Sequence, residues 1–395
     1  MTITMNQVNT IFLAVGLLVL GTYMVAKIKM LKKFCIPAPV VGGLIFAVIT
    51  TILKATGLLE VTLDTSLQSL FMLTFFTTVG LGASFSLIKL GGKLLVIYWL
   101  ACGFLALAQN LIGISLASLF NIHPLIGMMA GAVSMEGGHG SAGAFGQTLQ
   151  DMGIESALSI GIAAATFGLI SGGLVGGPTV KYLIGKYNLT PTELNEKQSS
   201  KEEKVESITT NTFFIQLLVI TFCMALGTHL GELFSSATGF VLPNYVGAMF
   251  VAVIVRNLID IKMPEIIDMK SINLISDITL GIFLSMALMS IKLWEVANLA
   301  LPMLIIVLVQ VIFIVVFGVF VLFRLLGKNY DAAVMVAGFT GHGLGATPNA
   351  MANMAAVTDR FGPSRKAYLV VPIVGAFLID VFAMPIIITT INLLK

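Results

Sequence analysis

Two short segments hold most of the residues able to do chemistry: 134–147, SMEGGHGSAGAFGQ, and 340–353, TGHGLGATPNAMAN. The first carries hydroxyls at Ser134 and Ser141, a carboxyl at Glu136 and an imidazole at His139, interleaved with Gly137, Gly138 and Gly140. The second carries His342 between Gly341 and Gly343, then Gly345, Ala346, Thr347, Asn349 and Asn353, with Pro348 interrupting helix geometry. Glycine at this density disfavours a continuous helix and exposes backbone N–H and C=O groups that must find partners. Half-helix N-termini attract carboxylates through aligned N–H groups and the helix dipole, while unwound carbonyls coordinate Na+. All the residues just named are therefore candidates for a solute-binding site. The competing reading is tight helix packing through small residues.

Glu136, His139 and His342 stand in otherwise apolar surroundings, and Asp380 lies in the last apolar run with no charge near it in sequence. Ionisable groups at membrane depth are functional candidates by default. Glu136 suits a substrate amine, Na+ or H+, and Glu136, Asn349 and Asp380 are the candidates for ion coupling. The plainer roles are a neutral or paired structural carboxyl, imidazoles satisfied by carbonyls, helix caps for Thr347 and the asparagines, and, for Asp380, a carboxylate reaching water. If the two segments meet at their tips, Glu136 faces His342. Thr166, Ser171, Gln109 and Gln310 are weaker candidates, and the two glutamines fit helix packing better.

The elements that must hold these residues are membrane helices. Of 395 residues, 57% are hydrophobic and 10% charged, where a soluble domain carries about 25% charged residues. Apolar runs near 10–28, 37–54, 67–89, 94–120, 155–182, 211–234, 241–259, 271–291, 301–325 and 366–393 predict ten crossings. No alternation of the outer-membrane barrel type is present. The segments 124–148 and 332–356 predict re-entrant or broken helices. With both termini outside, all lysines and arginines except Lys54, Lys292 and Lys395 fall on the cytoplasmic side. The start lacks a basic signal-peptide region, so its apolar run reads as a retained first span. The net charge of +3 gives no support for a nucleic-acid partner, and Cys35, Cys102 and Cys223 are scattered packing residues.

The polar stretch 187–210 reads as a cytoplasmic linker between halves 1–186 and 211–395. Pro39-x-x-x-Gly43-x-x-Phe46 recurs as Pro243-x-x-x-Gly247-x-x-Phe250, Ile88-Lys89-Leu90 as Ile291-Lys292-Leu293, and Gly138-His139-Gly140 as Gly341-His342-Gly343. The near-constant offset points to duplication. Five crossings per half make the second half insert upside down, which predicts an all-α polytopic protein of two inverted five-helix repeats, each with a glycine-rich re-entrant loop. That architecture is typical of secondary transporters, with the site where the broken segments meet. Enzyme signatures fail: Gly138–Gly143 fits GxGxxG without a β-strand context, and HExxH, GxxxxGK[ST] and GxSxG are absent. A channel and an intramembrane hydrolase stay as alternatives.

Several long stretches carry a family likeness: SGGLVGGP at 171–178, MALMSIKLWEVANLALPML at 286–304, GKNYDAAVMVAG at 327–338, GLGATPNAMANM at 343–354 and RFGPSRKAYLVVPIVGAFLID at 360–380, with IPAPVVGGL at 36–44 and GGHG at 137–140. Over nearly its whole length the chain resembles the bacterial sodium/glutamate symporter family. The resemblance implies a Na+-coupled importer of L-glutamate in the inner membrane, a non-enzyme without cofactor, forming a homodimer and working by an elevator-like motion. A Na+- or H+-coupled carrier of another small amino acid or carboxylate is the runner-up. Glu136 and His342 depart from the family pattern, which has a small hydroxyl residue and an aromatic residue there. A carboxylate beside a dicarboxylate substrate repels it unless Na+, H+, His342 or the substrate amine neutralises it.

Overall fold

The computed structural model describes residues 2–33, 36–191, 208–240, 242–263, 265–291 and 299–395. Its helices, in chain order, are α1 Gln7–Lys27, α2 Lys29–Lys33, α3 Ala38–Ala55, α4 Gln68–Gly82, α5 Ser86–Leu119, α6 Pro124–Met128, α7 Gly138–Asp151 and α8 Ala157–Tyr187. After the linker come α9 Thr210–Thr238, α10 Asn244–Lys262, α11 Met269–Met289, α12 Ala300–Phe317, α13 Phe323–Leu325, α14 Tyr330–His342, α15 Thr347–Phe361, α16 Arg365–Ile373 and α17 Asp380–Leu394. Single π-turns at Met129–Val133, Gly318–Leu322 and Val374–Leu378 extend α6, join α12 to α13 and join α16 to α17. The linker's centre and the Lys292-Leu293 part of the repeat lie outside the described residues, as does Cys35.

Among the described residues nine helices are long and apolar enough to cross a membrane, against ten expected. The difference is α4, whose 15 residues span only about 22 Å at 1.5 Å per residue. The chain turns at Ala83-Ser84, where the Ser84 hydroxyl donates to Asp260 and the Asn257 amide donates to the Ala83 carbonyl. The apolar run to residue 89 thus belongs to two helices, and α5 starts early, kinked at Gly92. A second departure from the all-α expectation is a short parallel pair of strands, β1 Thr2–Met5 and β2 Glu60–Leu63. They precede α1 and follow α3, and they satisfy each other's backbone.

The helices sort into two packed groups. In one, α1 packs on α3 and α11, and α9 packs on α10 and α4, while α3 meets α11 and α4 meets α10. Elements of the two halves thus play matching parts. The other group holds α5–α8 and α12–α17. Contact between the groups is sparse, carried mainly by α7 on α11 and by the Val374–Leu378 turn on α4.

Each broken segment folds back along α8. On the first, Ala142 lies against Gly161 and the α7 residue Gly146 against Leu158, so α7 runs antiparallel to the start of α8. On the second, Gly341 of α14 packs on Ala350 of α15, and Gly338 on Met354, an antiparallel pair. Glycines at 168, 172 and 176, one turn apart, open a groove on α8 for this pair. A Cβ at Gly168 would stand 2.4 Å from the Leu344 carbonyl oxygen. The two tips meet at the middle of α8.

Behind the tips, Gln310 donates to the Gln109 carbonyl at 2.8 Å, and the Gln109 amide donates to the Gly343 carbonyl at 2.7 Å. The glutamines are therefore packing ties between α12, α5 and the second tip. Gln109→Leu strands a buried carbonyl, a cost of about 1–3 kcal/mol. Its melting temperature in detergent is expected to fall by several degrees, and an unchanged value would show the tie to be dispensable.

Candidate functional site

The contact between the tips is close enough to need glycine. Gly138 has φ +58°, in the left-handed region, and a Cβ there would lie 2.8 Å from the Gly345 carbonyl oxygen. Beside this contact lies a cavity of about 610 Å³. Glu136, Gly137, Gly138, His139, Gly140 and Ser141 line it from the first tip, and His342, Ala346, Thr347 and Pro348 from the second. Asp380 joins them from the start of α17. The opposite wall is Phe75, Phe76 and Thr78 of α4 with Asn273, Ser276 and Asp277 of α11. The cavity therefore sits between the two helix groups.

The helix N-termini of α7 and α15 open on this space. Neither has a side-chain cap, since Gly137 and Ala346 occupy the cap positions. Their first N–H groups keep their positive end of the dipole for an occupant. No lysine or arginine lines the cavity among the described residues.

The acidic and basic groups are held differently. Glu136 is 4% exposed and His342 2%, and neither carboxylate oxygen nor either ring nitrogen has a hydrogen-bond partner among the described residues. Glu136 and His342 line one cavity and make no hydrogen bond to each other. His342 is instead braced by Gly375, where a Cβ would come 3.1 Å from Nδ1 and 3.0 Å from the Thr347 hydroxyl. His139 is satisfied at Nε2 by the Thr166 hydroxyl, 3.0 Å away. Asp380 and Glu136 line the same cavity.

Other predicted residues stand away from the cavity wall and build its support. The Ser134 hydroxyl donates to the carbonyls of Met129 and Gly161, the latter at 2.8 Å, tying the first tip to α8. Asn349 donates to the Leu169 carbonyl at 3.0 Å, and its own Oδ1 has no hydrogen-bond partner among the described residues. Asn353 donates to the Gly172 carbonyl at 3.0 Å, across the glycine groove. Gly341 and Gly343 serve the packing of α14 against Ala350 and against Leu105, and Gly345 forms the tip contact. Among the described residues no cluster of three His, Cys, Asp or Glu fits a metal ion.

The polar stripe Asn273, Ser276 and Asp277 escaped the sequence reading. Its signal was present, because Asp277 is an ionisable residue inside the 271–291 apolar run.

The fold and cavity define a multi-pass helical membrane protein with a chamber of mixed apolar and polar lining where its two glycine-rich segments meet. The sodium/glutamate symporter family profile matches residues 3–363, and the chain belongs to that family. It is 41% identical over 383 residues to the sodium/glutamate symporter of Escherichia coli, covering 95% of each chain. It is 40% identical over 387 residues to the sodium/glutamate symporter of Haemophilus influenzae, covering 96% of each. These relatives are named as symporters, not enzymes. Among solved structures, a sodium proton antiporter of Methanocaldococcus jannaschii matches with a TM-score of 0.44 and 15% identity, covering 98% of this chain and 97% of the other.

Proposed function

We propose that this chain imports L-glutamate by Na+-coupled symport. The carrying observation is the pair of uncapped helix N-termini, from α7 and α15, opening on one cavity that lacks basic side chains among its lining. A dicarboxylate offers one anionic group to each N-terminus, and its amine has Asp277, Asp380 and Glu136 at hand. With no arginine or lysine to neutralise the carboxylates, cations must enter with the solute. The membrane potential gives the same demand, since carrying one negative charge inward costs about 2.3 kcal/mol per 100 mV. Na+ suits the carboxyl and carbonyl oxygens of the site, with Asp380 and Asn349 as its candidate ligands.

The motion we propose is elevator-like: α5–α8 and α12–α17 slide with the solute against the group built on α1, α3, α4, α9, α10 and α11. The sparse contact between these groups, with the cavity between them, supports this division. The matching parts played by equivalent helices support an inverted repeat with re-entrant tips at membrane depth. The homodimer, the inner-membrane location and outward termini rest on the family likeness and on the lysine and arginine distribution.

Labelled L-glutamate uptake into proteoliposomes of the purified protein tests the reading. Accumulation is expected with an inward Na+ gradient and not with K+ in its place, and unlabelled glutamate should compete. Uptake that ignores Na+, or preference for another amino acid or carboxylate, would replace it with the runner-up.

A further inference from the structure

The far end of α8 carries a feature that the solute site does not use. This helix has 31 residues, about 46 Å at 1.5 Å per residue, against a hydrocarbon core of ~30 Å. Its basic last turns, just before the linker, therefore reach headgroup level. There an open recess of about 460 Å³ is lined by Pro178, Lys181, Tyr182, Gly185 and Lys186. Their spacing puts all five on one face of the helix, away from the glycine groove at 168, 172 and 176. Toward the membrane centre on the same face, Phe167 and Leu174 are 42% and 53% exposed. An apolar track thus leads into a basic recess.

The polar groups of the recess are set in place. Lys186 donates to the Tyr182 hydroxyl at 2.9 Å, and its ammonium lies 5.2 Å from the Tyr182 ring centroid and 5.7 Å from that of Tyr187. One of its three N–H donors is spent in this way, and two are left for an oxygen acceptor. The Tyr182 hydroxyl, accepting from Lys186, keeps its own proton to donate. Tyr187 packs on Phe323 with ring centroids 5.2 Å apart, which brings α13, and the exposed Arg324 next to Phe323, alongside the end of α8. Among the described residues none of Lys181, Lys186 and Arg324 pairs with a carboxylate, whereas Arg256 has Asp260 and Lys366 has Asp331. Gly185 leaves the floor bare, since a Cβ there would meet nothing within 4 Å.

We propose that this face of α8, together with Arg324, binds the headgroup of an anionic phospholipid. The phosphate accepts from Lys181, Lys186 and Tyr182, and an acyl chain lies along Leu174 and Phe167. Basic recesses between membrane helices suit such headgroups, and a free anion has no use for the apolar track. The inference holds whatever solute the chain carries.

Native mass spectrometry of the full chain in detergent tests it, with the delipidated protein titrated with phosphatidylglycerol or with phosphatidylcholine of the same acyl chains. Phosphatidylglycerol is expected to be retained at the lower concentration. Each cation near a headgroup contributes about fivefold, so joint replacement by Lys181→Gln, Lys186→Gln and Arg324→Gln is expected to weaken its binding roughly 100-fold. Lys89→Gln with Lys93→Gln, which removes two cations elsewhere on the same predicted side, is expected to leave it unchanged. Gly185→Leu alters no charge and puts a good helix former in place of glycine; by filling the recess it is expected to weaken phosphatidylglycerol binding severalfold. Should the triple variant fail to fold, Gly185→Leu decides. Equal retention of the two lipids, or undiminished phosphatidylglycerol binding in Gly185→Leu, would overturn the proposal. Displacement of the lipid by inorganic phosphate would make the ligand a free anion and overturn it too.

Discussion

Gly138→Val is expected to reduce glutamate uptake by roughly 100-fold or more while the protein still inserts and is recovered in detergent. Two costs combine at this position. The left-handed backbone, φ +58°, penalises an L side chain by about 1–2 kcal/mol, and β-branching adds to it. The new Cβ also meets the Gly345 carbonyl oxygen at 2.8 Å, closer than real Cβ contacts allow, and that oxygen is backbone. The tips must part, which displaces the N-termini of α7 and α15 relative to each other. A displacement near 1 Å is enough to cost about 100-fold where groups must act in register. Gly57 separates the two causes: its φ is +70° and nothing lies within 4 Å of a Cβ there. Gly57→Val carries the backbone penalty alone and is expected to transport at near-normal rates. Equal loss in both variants would remove the tip contact from the mechanism.

The recurrence of Gly-His-Gly made the two tips legible as counterparts, and Gly138 lies against Gly345 where they meet. The break positions were equally legible, since glycine density and Pro348 forbid continuous helix at 134–138 and 343–348. The division of labour among the named residues was not. Ser134, Asn349 and Asn353 are polar residues at membrane depth and therefore look like binding groups, yet each spends its donor on an α8 carbonyl. The two asparagines reach theirs only because glycines 172 and 176 let α15 come close, a tertiary fact that no local pattern contains. The far wall was missed for a related reason. Asn273 and the pair Ser276-Asp277 lie one helical turn apart on α11, but that helix joins the cavity by packing between the halves, across a long sequence separation. The end of α4 was displaced by Ser84, whose partner Asp260 is 176 residues away.

Asp380→Asn is expected to raise the Na+ concentration for half-maximal uptake by roughly 10- to 100-fold. Asp380 lines the cavity at the end of the Val374–Leu378 π-turn, opposite the first tip. Contacts to a charged group are worth about 1.5–3 kcal/mol, and each 1.4 kcal/mol is a factor of ten in affinity. Asparagine keeps one oxygen and the side-chain volume, so packing around the π-turn is preserved and the loss reports charge. Linkage requires the reciprocal effect: if Na+ promotes glutamate binding, the weakened Na+ site lowers apparent glutamate affinity at fixed Na+, and saturating Na+ restores it. Asp380→Asn should therefore shift the Na+ activation curve while the maximal rate at saturating Na+ stays near that of the wild type. Sodium activation left unchanged by Asp380→Asn would take this carboxylate out of the ion site.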